Sequence, residues 1–359
     1  MKVLVVTNMY PSIKYPVYGS FVQVMVDALE NFEQVSCNVV FISERKTGVV
    51  KNAIKYLSLF IKIFKATLFT SYDVVNVHYI FPTGMIALPA VVLRKKPLVF
   101  TSHGGDVRLG KKNKLLKGLT RFLLRRADRI IAVSEFLALE LQKEFLVPPG
   151  KIEVINCGVD TTLFYPRDKE SSKEYLGYST QEKWVLFVGN LIPLKGLLPL
   201  FQAFQKISID FPMARLMVIG EGPLREQLAS MAEESSIAEK VRLLGAIPHT
   251  QIPLWMAAAD VFVLPSSQEG FGLVALEAMA CGTPVVASRV GGLSEFVDSG
   301  KNGYLVEPGD VEGLVKKISM LLKDEPLRAR LALEARKESL THDLRSQAKK
   351  IQKIFKEII

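Results

Sequence analysis

Short runs of branched apolar residues alternate with longer amphipathic segments along nearly all of this chain. That alternation restricts the fold more than any other feature. KVLVVT at Lys2–Thr7 opens the series, and runs at Asn38–Ile42, Asp73–Val77, Leu98–Thr101, Arg129–Val133 and Lys151–Ile155 continue it. A short apolar run without polar alternation reads as a strand buried on both faces, as in a parallel sheet. Helical segments lie between the runs, among them Phe21–Phe32 and Glu135–Glu144, and a loop rich in Tyr, Pro and Gly spans Asn8–Ser20. This βα repetition predicts a doubly wound parallel sheet, with its ligand site beyond the carboxyl ends of the strands.

The pattern then restarts. Trp184–Val188, Leu216–Ile219, Val241–Leu244, Val261–Leu264 and Pro284–Ala287 read as strands. Leu197–Ile207, Leu224–Glu234, Ile252–Ala258 and Leu273–Ala280 read as helices, and the chain from Asp310 onward is mostly helical. A length of 359 residues exceeds what one core usually supports, so two domains are expected. The breaker Val147-Pro148-Pro149-Gly150 and the polar stretch 166–182 place the boundary within 160–182. The expected layout is a Rossmann-like domain over 1–165, a second over 166–340, and a closing helix over 341–359. Ile351, Ile354 and Phe355 share one face of that helix, which is expected to pack back on the first domain. Two such domains would bound a cleft, a preferred place for ligands, although the fold alone hosts many chemistries.

A chain that is 49% hydrophobic and 23% charged is globular, neither disordered nor collagen-like. Cys37, Cys157 and Cys281 are far apart and odd in number, so neither a disulfide framework nor a zinc site follows from them. Reduced thiols in a cytoplasmic protein are expected. The opening MKVLVVTNMYPS lacks the form of a secretory signal, and no stretch of 18 apolar residues is present. Charge is uneven. Residues 1–166 carry 22 Lys/Arg against 12 Asp/Glu, whereas residues 167–359 carry 24 of each. The excess in the first half should attract an anionic partner: nucleic acid, anionic lipid or a phosphorylated acceptor.

The stretch from Asp260 to Ser288, DVFVLPSSQEGFGLVALEAMACGTPVVAS, carries the chemistry. A strand ends at Pro265, the loop Ser266–Gly272 follows, and a helix begins at Leu273. The amides of Gly270, Phe271, Gly272, Leu273 and Val274, with the positive end of the helix, can hold a diphosphate without a metal. Glu269 can accept hydrogen bonds from the hydroxyls of one sugar ring. Glu277, one turn beyond Leu273, can accept them from a second ring such as ribose.

This stretch resembles the signature region of the retaining, GT-B-fold glycosyltransferase family 4. Two glutamates with seven residues between them, Glu269 and Glu277, are followed by Met279-Ala280-Cys281-Gly282-Thr283-Pro284, as in that family. The resemblance implies an α/β GT-B architecture, two Rossmann-like domains facing each other across a cleft. It implies an acceptor-side N-terminal domain and a nucleotide-sugar-binding C-terminal domain. In the family the first glutamate contacts the donor sugar and the second the ribose. Lys195, beside Gly196 in the loop Val188–Gly196, falls where the family meets the donor diphosphate. Asn190 stands where the family usually has arginine, and asparagine brings no charge. Gly222, in Gly220-Glu221-Gly222-Pro223, resembles the family's glycine turn near the base, and Glu295 matches a GGxxE segment. His103, after strand Leu98–Thr101, resembles the family histidine that contacts the donor sugar. Its neighbour Asp106 is a candidate either to orient the loop or to contact the acceptor. Gly19 occupies the family's glycine loop after the first strand. Glu221 and Asp260 read as local structural groups.

The implied function is metal-independent, retaining transfer of a hexosyl or N-acetylhexosaminyl group. The donor would be a UDP- or GDP-sugar, and the acceptor a glycan or a lipid-linked molecule. Neither a cofactor nor a metal is expected, since His78, His249 and His342 lack local metal-ligand spacing. Competing readings are an epimerase or phosphorylase on the same fold, a dinucleotide-dependent oxidoreductase and a silent carbohydrate-binding relative. A complete GxGxxG fingerprint is missing, which counts against the oxidoreductase. Two basic segments point to an anionic membrane surface: Ala53–Phe69 with Lys55, Lys62 and Lys65, and Lys111–Arg126 with Lys114, Lys117, Arg121 and Arg125. The alternative is that their apolar stripes pack on the sheet. Nucleic acid is not expected, because no recognition motif accompanies the charge.

Overall fold

The computed structural model describes residues 1–13, 15, 18–43 and 48–359, with only the backbone of Val49 and Lys51. Residues 14, 16 and 17 of the expected loop Asn8–Ser20 therefore lie outside the described residues. The chain forms two compact units, Met1–Gly158 with Leu344–Ile359, and Val159–Asp343.

Unit 1 contains strands β1 (Lys2–Thr7), β2 (Ser36–Phe41), β3 (Val74–His78), β4 (Leu98–Ser102), β5 (Arg129–Ala132) and β6 (Ile152–Val154). They pair in the order β2-β1-β3-β4-β5-β6, all parallel. Its helices are α1 (Ser20–Glu33), α2 (Val49–Phe69), α3 (Thr83–Arg94), α4 (Gly105–Gly110), α5 (Lys114–Arg126) and α6 (Glu135–Phe145). β3 and β4 are buried at every position, the polar Asn76, His78, Thr101 and Ser102 included.

Unit 2 contains β7 (Lys183–Val188), β8 (Ala214–Ile219), β9 (Val241–Gly245), β10 (Val261–Leu264), β11 (Val285–Ser288) and β12 (Gly303–Val306). The order is β12-β11-β10-β7-β8-β9, again parallel throughout. Its helices are α7 (Lys169–Tyr175), α8 (Leu197–Asp210), α9 (Arg225–Glu234), α10 (Ile252–Ala258), α11 (Leu273–Ala280), α12 (Leu293–Phe296), α13 (Val311–Lys323) and α14 (Glu325–Thr341). The edge strand β12 is absent from the sequence reading. Its four residues follow Lys301-Asn302 and begin with glycine, so they carry little strand signal of their own.

The last helix, α15 (Leu344–Ile358), belongs to unit 1. Ala348, Ile351, Ile354 and Phe355 enter one buried cluster with Val22, Met25, Val26 and Leu29 of α1. Gln352 adds a hydrogen bond to the Glu33 carbonyl, 2.8 Å. The unit limits fall at Gly158/Val159 and Asp343/Leu344 rather than at 165/166 and 340/341. Two contacts account for this. The Val159 amide donates to the His342 carbonyl at 2.9 Å, and Phe164 is buried against His249.

Asp260, just before β10, ties unit 2 together from within. Its carboxylate accepts from Lys169 at 3.0 Å, from Lys173 at 3.2 Å and from the Trp184 amide at 2.8 Å, with Arg328 at 3.7 Å. Burial by itself would raise the carboxyl pKa. The charges of Lys169 and Lys173 and the Trp184 amide outweigh it and hold the group below the ordinary aspartate range. The structural role read for Asp260 thus has a concrete form: one buried anion satisfies the first residues of β7 and anchors α7 and α14. Asp260→Asn would leave the buried Lys173 ammonium without its counter-charge, at a cost of about 3–5 kcal/mol in urea unfolding at neutral pH. Because the folded pKa is depressed, the deficit relative to the native protein is full above about pH 4. It shrinks as the pH falls through the lowered value.

Candidate active site

In unit 2 the strand order reverses between β7 and β10, the switch point at which open α/β sheets place a ligand crevice. The loop that follows β7 is Gly189–Gly196, and the one that follows β10 is Ser266–Gly272. They are fastened to each other. The Ser267 amide donates to the Leu194 carbonyl at 2.8 Å, and a side chain on Gly196 would run into the Pro265 carbonyl. Gly196 also sits at φ +67°, where glycine is unstrained. Gly222 matters for the same reason. A Cβ there would strike the Leu191 backbone, so its place beside the first loop is a matter of close packing.

That crevice holds the charged groups. Lys195 Nζ donates to Glu269 Oε1 at 2.6 Å, and Ser266 Oγ donates to the same oxygen at 2.7 Å. Both members of the ion pair are largely shielded, with side-chain exposures of 20% and 11%. Gly291 approaches the Glu269 main chain so closely that a Cβ would overlap its carbonyl oxygen. The Gly291-Gly292 pair of the GGxxE segment therefore supports the glutamate loop, while Glu295 itself is exposed. Asn190, in the same loop as Lys195, is exposed.

The helix that follows has the expected entrance. Gly272 caps α11 at φ +97°, packed against Leu293, and as a glycine it offers the first-turn amides no side-chain hydrogen bond. Leu273 and Val274 are half-buried there. The Phe271 ring is buried against Phe296 and His342, so only its main chain can take part in binding. Glu277 is buried rather than a surface residue. Its Oε1 lies 2.8 Å from His249 Nε2, at the turn before α10. Burial alone would lower the His249 pKa. The Glu277 carboxylate, and more weakly Asp160, outweigh it and raise the value above the ordinary one. Sequence spacing gave no hint of the pair, because 28 residues and a strand separate its members. Glu221 bonds Arg225 one turn on, at 3.4 Å, in agreement with a local role.

In unit 1, His103 follows β4 and is held by neighbouring strands. Its Nε2 lies 2.9 Å from His78 Nδ1, and the Phe21 and Tyr79 rings pack on it at 4.7 and 5.2 Å. Burial pushes its pKa down to about 3 and pulls that of His78 well below the usual range, so both rings are neutral at pH 7. The remaining nitrogen of His103, Nδ1, is thus an uncharged hydrogen-bonding group. The sequence weighs His78 only as a metal ligand, although β3 and β4 pair with His78 opposite Thr101, two residues before His103. Asp106 is buried and fully used. It accepts from Ser102 Oγ at 3.1 Å and from the Gly104 and Ile80 amides at 2.9 and 3.2 Å. Of its two candidate roles, the geometry favours loop organiser and leaves no carboxylate face for an acceptor. Gly19, at φ +77°, precedes α1 and lies against the Met9–Tyr10 backbone, where a Cβ would not fit. Among the described residues no group of three or more His, Cys, Asp or Glu is arranged to hold a metal ion.

Comparison with known proteins addresses each unit. The family model for Glycosyl transferases group 1 matches residues 168–338, and that for Glycosyltransferase Family 4 matches residues 20–163. N-acetyl-alpha-D-glucosaminyl L-malate synthase of Bacillus anthracis is 34% identical over 278 residues, covering 77% of this chain and 71% of that protein. A D-inositol 3-phosphate glycosyltransferase of Thermobispora bispora is 32% identical over 305 residues, covering 80% of this chain and 71% of that one. Among solved structures, sucrose-phosphate synthase from Thermosynechococcus elongatus aligns with a TM-score of 0.82 at 21% identity, over 99% of each chain. Anabaena HepE in complex with UDP-glucose aligns with a TM-score of 0.79 at 22% identity, over 99% of this chain and 100% of that one. At such identities the structures establish the GT-B fold and nothing finer. The two family matches and the two relatives settle the family: the chain belongs to glycosyltransferase family 4 and is a GT-B-fold glycosyltransferase.

Proposed function

We propose that this glycosyltransferase moves a hexosyl or N-acetylhexosaminyl group from a UDP- or GDP-sugar to a glycan or lipid-linked acceptor, with retention and without a metal. The observation that carries the reading is the Lys195–Glu269–Ser266 cluster beside the uncapped start of α11. It supplies what a nucleotide-sugar needs: a cation and helix amides for the diphosphate, and a carboxylate for hydroxyls. Lys195 and Glu269 are each other's partners here. A donor takes the ammonium with its diphosphate and the carboxylate with its sugar, replacing one charged bond by two. Two names support the donor class. The Bacillus relative is called an N-acetylglucosaminyl malate synthase, and HepE is described with UDP-glucose.

In this reading the acceptor oxygen attacks from the face that the diphosphate leaves, and the leaving phosphate takes the acceptor proton. Catalysis then rests on positioning and on stabilising the departing charge. Lys195 and the α11 amides do the latter, Glu269 holds the sugar, and Glu277 holds the ribose.

A binding and transfer panel of UDP- and GDP-sugars on the purified chain tests the proposal. Lys195→Ala should lower turnover on the order of a hundredfold, and EDTA-treated enzyme should keep its activity without added Mg²⁺ or Mn²⁺. Nearly native turnover in the lysine variant, or recovery by one divalent ion only, would overturn this mechanism. Glu277→Gln should weaken nucleotide binding by about 1.5–3 kcal/mol in calorimetry while the melting curve shows a folded protein. Unchanged affinity would remove the ribose role. The His249–Glu277 pair also predicts a pH dependence. Its stabilisation is present where the imidazole is charged, below the ordinary histidine range, and is lost as pH rises through the raised value. The melting-temperature gap between the native chain and His249→Gln should therefore be wide at about pH 6 and narrow toward about pH 9.

A further inference from the structure

Helix α2 is apolar on two opposite sides. Leu59, Ile63 and Ala66 are buried toward the rest of unit 1. Val50, Ile54, Leu57, Ile61, Phe64 and Leu68 recur at alternating spacings of three and four, so they form one stripe along the helix, and all six are exposed. Leu57 is 59% exposed and Phe64 42%. Isolated exposed leucines are ordinary, but a continuous stripe along a 21-residue helix marks a surface that something covers. No helix among the described residues is long and apolar enough to cross a membrane.

The charge around the stripe selects its partner. Between Val49 and Phe69 there are four lysines and neither aspartate nor glutamate. Assigned by unit, the imbalance exceeds that of the first half of the sequence. Unit 1 holds 27 Lys/Arg against 12 Asp/Glu, a net of +15, and unit 2 holds 19 against 24, a net of −5. A second copy docked on the same face would set this helix, with no acidic residue of its own, against another like it. An anionic bilayer instead accepts the apolar stripe among its acyl chains and the ammonium groups among its headgroups.

The structure also corrects the expected division of labour. Lys55 is buried and is no headgroup contact. Lys62 and Lys65 are exposed, with Lys62 Nζ 3.0 Å from the Phe41 carbonyl. In α5, the second basic segment, apolar exposure is confined to Leu115 and Phe122 and forms no continuous stripe. Leu123 and Leu124 are buried, Lys117 pairs with Glu144 at 2.9 Å, and Lys111 pairs with Glu140. We propose that α2 alone, through its exposed apolar stripe with Lys62 and Lys65, is an interfacial helix that seats unit 1 on an anionic lipid surface.

Cosedimentation of the whole chain with vesicles of phosphatidylcholine, and of phosphatidylcholine mixed equally with phosphatidylglycerol, tests this. Nucleotide-sugar is left out, so a negative result bears on α2 and leaves the transfer reading untouched. The native chain should partition onto the anionic vesicles, and more weakly as salt rises. Leu57→Gln/Ile61→Gln/Phe64→Gln should cut the partition coefficient roughly tenfold or more. Lys62→Gln/Lys65→Gln leaves the apolar stripe intact and should cut binding to the anionic vesicles several-fold. Leu333→Gln, at an exposed leucine of unit 2, should have no effect. Three results would overturn the proposal: no binding by the native chain, equal binding to neutral and anionic vesicles, or native-level binding by a folded stripe variant. A lipid-free dimer in sedimentation equilibrium that the stripe variant abolishes would also overturn it, assigning the face to a second copy.

Discussion

The parallel pairing of β7 with β10, with Val185 opposite Val261, governs the chemistry of unit 2. Neighbours in space but distant in sequence, these strands lie where the sheet order reverses. The loops that leave their carboxyl ends, Gly189–Gly196 and Ser266–Gly272, therefore meet at this switch point, joined by the Ser267 amide and the Leu194 carbonyl. Lys195 rides on one loop and Glu269 on the other, and the crevice brings them to 2.6 Å. The tolerances are tight. Gly196 against Pro265 and Gly291 against Glu269 are backbone-to-backbone contacts with no room for a methyl group. The Asp260 cluster supports the arrangement from the other end of the sheet, since it holds the starts of β7 and β10 at one point.

Electrostatics divides the polar groups into two kinds. Lys195 and Glu269 oppose each other as ions and keep part of their side chains exposed. Asp106 and Asp260 are sealed, and their carboxylates are saturated by internal donors. His103 belongs with neither. Packed among Phe21, His78 and Tyr79, it stays neutral and can offer a hydrogen bond but no charge. Burial thus sorts residues that the sequence presents as equals.

The closing helix changes the character of unit 1. α15 fills the apolar surface of α1 with Ile351, Ile354 and Phe355, and it also brings five basic residues against one acidic. The positive charge of the first 158 residues is therefore reinforced from the far end of the chain, while unit 2 is left acidic.

The sequence by itself determined the periodic framework and marked out the candidate site residues. Runs such as KVLVVT and VFVL can only be buried strands, and the Glu269–Glu277 spacing is visible because both lie on one continuous loop and helix. Strand β12 was illegible because its signal comes from pairing with β11, not from its own four residues. Tertiary structure alone decided the partners. His249 reaches Glu277, Ser266 shares an oxygen of Glu269 with Lys195, and His78 meets His103. It alone decided that Lys55 turns inward while Leu57 and Phe64 face out. The physical reason is common to all of these. Local pattern fixes which element a residue occupies, but side-chain contacts and burial depend on which elements become neighbours, and strand order and helix packing set that across long stretches of chain.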